Sequence, residues 1–71
     1  MTRHFEFVEG SSSKFWEVTA KDNAVTVRYG RIGSGGLIRT KFLANAAEAQ
    51  KHADKLIAAK VKKGYQEVVA K

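Results

Sequence analysis

Few side chains in this sequence are spaced for catalysis. His4 and His52 fall on different segments, and neither has a carboxylate or a second histidine at a ligand spacing such as i+4. Both are expected at the surface, with no metal site and no cofactor. Ser11, Ser12 and Ser13 follow Gly10 in a flexible turn, with no base beside them to activate a hydroxyl. The run Gly30-Arg31-Ile32-Gly33-Ser34-Gly35-Gly36 offers backbone N–H groups to an anion. It leads into a strand pattern, whereas P-loops and dinucleotide motifs need a helix there. A permissive hairpin turn is the expected reading. With no acid–base pair in sight, the chain is not expected to be an enzyme.

Positive charge is what the sequence does supply. Thirteen Lys and Arg against seven Asp and Glu leave a net charge of +6 and a pI near 9.9, which suits a polyanionic partner. The distribution says more than the total. Between Glu17 and Glu48 the only acid is Asp22, while Lys21, Arg28, Arg31, Arg39 and Lys41 share that stretch.

The elements that must carry these residues are legible in the spacing. Four strand-like segments, Arg3 to Glu9, Lys14 to Ala20, Val25 to Ile32 and Leu37 to Leu43, are separated by short turns at 10–13, 21–24 and 33–36. Short connections favour antiparallel pairing, since parallel neighbours need long crossovers. From Ala46 to Lys63 the period becomes helical, with Ala49, Ala53, Leu56, Ile57 and Val61 on one stripe. Asn45 and Glu48 form an N-terminal capping pair, and Gly64 after Lys60, Lys62 and Lys63 marks the end. The expected fold is therefore α+β, a four-stranded antiparallel meander sheet with one amphipathic C-terminal helix packed on one face, in a single domain over 1–71.

A register that pairs Phe7 with Trp16, Trp16 with Tyr29 and Tyr29 with Thr40 gathers Phe5, Phe7, Trp16, Val18, Ala20, Val25, Val27, Ile38 and Phe42 on the helix-facing side. Trp16 and Phe42 are then expected to be buried. The opposite face carries Glu6, Glu17, Arg28, Arg39 and Lys41, with Val8, Phe15, Ile32 and Leu37 among them. Arg28 sits across from Lys41, a like-charge pair that an anion would relieve, unless the long side chains simply splay into solvent. Tyr29 and Arg31 alternate with the core positions Val25 and Val27. An arginine does not sit unpaired in a core, so the end of this strand must run past the helix and leave Arg31 and one edge of Tyr29 at the rim.

Seventy-one residues bury only about 60% of the unfolded surface, which leaves little room for an enclosed pocket. The absence of cysteine removes disulfide and thiolate-metal support and fits a cytoplasmic setting. No apolar run approaches the roughly 18 residues of a membrane span, so no membrane partner is expected.

Tyr29-Gly30-Arg31-Ile32-Gly33, the glycine turn, the basic strand Leu37-Ile38-Arg39-Thr40-Lys41-Phe42 and the helix closing in Lys62-Lys63-Gly64-Tyr65 together resemble the WGR domain. Lys14-Phe15-Trp16-Glu17 is similar to an upstream strand of that family, and Glu48-Ala49 to a pair early in its helix. The resemblance covers residues 14–67, with Tyr29 where the family's namesake Trp stands. It implies a module that binds DNA near strand breaks and touches neighbouring domains, with Tyr29 against the terminal nucleotide and Arg31 near the DNA and domain contacts.

The expected function is thus nucleic-acid binding, to DNA rather than RNA, by a monomer that holds phosphates with little sequence readout. Arg31, Arg39 and Lys41 would hold phosphates, Arg28 would assist, and Tyr29 would stack on a sugar or base. Tyr29 is equally a half-buried core tyrosine against Trp16, and both roles are compatible. The alternative is a protein–protein interaction module in which the same rim docks a protein partner.

Overall fold

Two-residue turns dictate the first half of the architecture. The computed structural model describes residues 2–69. In it β1 (Thr2–Glu9) turns through Gly10 and Ser11 into β2 (Ser12–Lys21), which turns through Asp22 and Asn23 into β3 (Ala24–Arg31). Gly10 and Asp22 take the positive φ that such tight hairpins require, at 59° and 53°. Residues 32–36 lead into β4 (Leu37–Phe42), and Asn45 caps α1 (Ala46–Lys62) by accepting the Glu48 N–H at 2.8 Å.

The helix ends in a Schellman arrangement: Tyr65 N–H donates to Lys60 O and Gly64 N–H to Val61 O, with Gly64 at φ 105°. This turns the chain back against the sheet, where β5 (Gln66–Val68) pairs antiparallel with β1. The sheet therefore has five strands in the order β4-β3-β2-β1-β5, one more than expected. Three residues are too few to display a period-two pattern, and β5 exists because β1 offers an edge. A bidentate ion pair fastens it: Arg3 Nε and Nη2 donate to Glu67 Oε2 and Oε1 at 2.8 and 2.7 Å.

The helix lies on the expected face. Phe5, Trp16, Val18 and Val25 of the sheet pack against Ala49, Ala53 and Ile57 of α1, with Val27, Tyr29, Leu56 and Tyr65 at the margins. The small alanines let α1 settle close to the sheet.

Two registers differ from expectation. Phe5, not Phe7, opposes Trp16, because the β1–β2 turn takes two residues instead of four. A two-residue shift keeps every side chain on its face. The β3–β4 pairing sets Tyr29 opposite Leu37 and Val27 opposite Arg39, three residues from the anticipated register. An odd shift inverts the strand. Ile38 and Phe42 consequently lie on the face away from the helix, Phe42 at 72% exposure, while Leu37, Arg39 and Lys41 join Tyr29 and Val25 on the helix side. Arg28 opposes Ile38 and not Lys41. The cause is the loop: pairing with β4 stops at Tyr29, while Gly30 and Arg31 continue to pair only with β2.

Candidate nucleic-acid interface

The inversion of β4 brings most of the anticipated residues together. Arg39 Nε donates to Tyr29 Oη at 3.1 Å, so the phenol is held at the rim while its ring packs against the core margin. Arg31 stands exposed at the end of β3, directly across from Lys14 of β2. The like-charge cross-strand pair thus exists, but between Lys14 and Arg31 and not between Arg28 and Lys41. The C-terminal turn of α1 adds Lys60, whose Nζ lies 5.7 Å from the Trp16 ring centre and 5.2 Å from that of Tyr65.

These side chains border a groove of about 330 Å³ lined by the Tyr29 and Tyr65 side of the sheet with Lys14, Arg31, Lys60 and residues 11–13, where Phe15 and Gly30 pair across β2 and β3. Lys14, Lys60, Lys63 and Tyr65 meet again beside it with Phe7, and Arg39 and Lys41 line a shallower channel between β4 and α1 with His52 and Leu56. Among the described residues, none of Lys14, Arg31, Arg39, Lys41, Lys60 and Lys63 has a carboxylate within ion-pair distance. Burial holds the Lys60 ammonium below the ordinary lysine value, and the charges of Lys63 and Lys14 push it the same way. The site accumulates repelling cations around Tyr29 and Tyr65, the arrangement an incoming polyanion relieves.

Arg28 is not brought to this groove. It lies on the opposite face, its guanidinium carbon 4.8 Å over the Phe15 ring, with Nε donating to Glu17 Oε1 at 3.3 Å and Nη1 to Gly35 O at 3.0 Å. His4 stacks on the same ring at 5.8 Å, with Nδ1 3.3 Å from Glu17 Oε2 and Nε2 3.1 Å from Glu6 Oε2. This histidine is half-buried between two carboxylates, where a plain surface position was expected. Burial raises the Glu17 carboxyl, but the hydrogen bonds from Arg28 and His4 outweigh it and hold the group below its ordinary value.

The covered Phe15 then supports the glycine loop. Gly36 has φ 75°, and a Cβ there would come within 2.7 Å of both Phe15 Cζ and Tyr29 O. Ser34 closes the turn, its N–H and Oγ both donating to Arg31 O at 3.0 and 2.7 Å. Arg31 is thus fixed at a corner whose underside is packed.

Residues 1–71 match the WGR domain family. The chain belongs to the WGR domain family. Members of that family are in general nucleic-acid-binding modules, and the domain itself binds and does not catalyse. This WGR domain is 43% identical over 67 residues to the uncharacterized protein YfeS of Escherichia coli (strain K12), covering 94% of this chain and 28% of that protein. It is 42% identical over 65 residues to protein YehF of the same organism, covering 92% and 24%. A crystal structure of a Bacteroides fragilis protein superposes with a TM-score of 0.94 at 43% identity, over 97% of this chain and 20% of the other. The chain spans about a quarter of the length of the curated relatives it matches. No helix among the described residues is long and apolar enough to cross a membrane.

Lys14, Lys60, Lys63 and Tyr65, which line the candidate grooves, are not among the residues that the sequence reading selects. Lys60 and Lys63 were legible only as a helix terminus. The signal lay in the cap itself, since a Schellman turn must return Tyr65 to the level of Lys60.

Proposed function

We propose that this WGR domain binds DNA through the groove between β3 and the C-terminal end of α1. Phosphates are held by Arg31, Arg39 and Lys41, joined by Lys14, Lys60 and Lys63, and a sugar or terminal base lies against Tyr29. The observation that carries the reading is the convergence of cations without carboxylate partners, among the described residues, on a groove lined by Tyr29 and Tyr65. Phosphate contacts position without reading sequence. Among the described residues, no helix offers an obvious recognition face for a major groove, so little sequence preference is expected.

Fluorescence anisotropy with blunt duplex, nicked duplex, single-stranded DNA and RNA at two salt concentrations tests this. Salt-sensitive binding to DNA is expected, with Tyr29→Ala weakening ends and single strands more than an uninterrupted duplex, and Tyr29→Phe retaining most of the stacking. Absence of salt-dependent binding to every ligand at low ionic strength ends the proposal.

A further inference from the structure

Strand β4 is the outer edge of the sheet, and its two faces differ in kind. Toward the helix side it presents Arg39 and Lys41, and away from it Ile38 and Phe42 at 66% and 72% exposure. The backbone alternates as well. Leu43 N–H donates to Asn23 O at 2.7 Å in continuation of the β3–β4 register, so Lys41, Arg39 and Leu37 turn their backbone groups inward. Ile38, Thr40 and Phe42 turn theirs outward, where an added strand would find them.

A second copy of this chain is a poor occupant. Antiparallel self-pairing centred on residue 39, 40 or 41 sets Arg39 against Arg39, Arg39 against Lys41, or Lys41 against Lys41, and like charges directly opposite are destabilising. The charge pattern instead selects a complement. We infer that β4 is a docking edge for an extended peptide segment in which acidic residues alternate with apolar ones. The acids stand opposite Arg39 and Lys41, the apolar side chains cover Ile38 and Phe42, and main-chain hydrogen bonds form to Ile38, Thr40 and Phe42. This surface shares Arg39 and Lys41 with the proposed phosphate contacts, while its apolar half, Ile38 and Phe42, lies on the face opposite the groove.

The test uses a synthetic peptide of alternating Val and Glu, a Val-Lys counterpart, and amide hydrogen exchange of the whole chain followed by NMR. The Val-Glu peptide is expected to slow exchange at Ile38, Thr40 and Phe42 while leaving the already paired amides of Arg39 and Lys41 unchanged. It is expected to bind about tenfold more tightly than Val-Lys, because two cross-strand pairs change from opposite to like charge. The double variant Arg39→Glu/Lys41→Glu is expected to reverse that preference. Thr40→Pro removes an outward N–H, which an edge strand tolerates, and is expected to abolish binding with the sheet intact. Protection elsewhere on the chain, equal binding of both peptides, or slowed exchange of the same amides in concentrated protein alone overturns the inference. So does protection of these amides by duplex DNA and not by peptide.

Discussion

Neutralising three lysines at one site and three at another separates a localised interface from general basicity. The site variant carries Lys14→Gln, Lys60→Gln and Lys63→Gln, the cations converging beside Tyr65. The control carries Lys51→Gln, Lys55→Gln and Lys62→Gln, exposed positions that line none of the grooves around Tyr29. Both lose three charges. If each site lysine neutralises one phosphate of duplex DNA, the slope of log affinity against log salt becomes shallower by about 2.7, at roughly 0.9 per contact. Between about 50 and about 200 mM salt, that difference amounts to about 40-fold less loss of affinity in the variant than in the parent chain. The control is expected to keep the parental slope within about half a unit. Anisotropy titrations of a labelled duplex at four salt concentrations read this directly. Glutamine keeps much of the aliphatic stem of Lys60 over Trp16, and circular dichroism checks that the fold survives. Equal flattening by the two variants would refute a groove-centred interface and leave only delocalised attraction.

Three further expectations concern the framework. Trp16→Ala should cost about 3–5 kcal/mol in urea unfolding, whereas Phe42→Ala should stay within about 0.5 kcal/mol, since the two are 3% and 72% exposed. A large Phe42 effect would contradict the β3–β4 register. Gly36→Ala should destabilise by more than about 2 kcal/mol, combining a left-handed backbone with a clash at Phe15 and Tyr29 O; Gly33→Ala, at φ 96° with nothing within 4 Å, should carry the backbone penalty alone. Glu17, held below its ordinary value in the folded chain, stabilises above the unfolded-state pKa, and that contribution is lost as pH falls through the folded one. Acid unfolding followed by circular dichroism should therefore be less pH-dependent in Glu17→Gln, and an unchanged profile would argue against the His4–Glu17–Arg28 network.

Legibility followed the range of the interactions involved. The helix, with Asn45 and Gly64 at its ends, is specified by neighbours three to five residues apart and was readable almost to the residue. The Trp16–Tyr29 pairing was equally accessible, because the short turn at 21–24 leaves little freedom in the register of the strands it joins. The loop at 30–36 defeated the same reasoning. Its length in the ladder depends on Phe15 beneath Gly36 and on Arg28 reaching Gly35 O from the far face, neither of which period or propensity encodes. One odd-numbered error there sent Arg39 and Lys41 to the wrong side. Tyr29 nonetheless bonds Arg39 and shares the groove with Arg31, a proximity that residue type and charge alone suggest.

The pairing of β5 with β1 also governs how this unit is wired into a longer polypeptide. Val68 lies opposite His4, and the chain there runs toward the level of Thr2, so entry and exit leave from adjoining strands at one end of the sheet. The groove opens at the other end, beside the β1–β2 turn. Flanking sequence can thus be joined at both ends without crossing the cationic rim, the condition under which a domain tolerates insertion or fusion. The relatives it matches are roughly four times as long, and a tether joined at the end away from the groove is a geometry in which linkage can raise local concentration near a neighbouring unit's ligand.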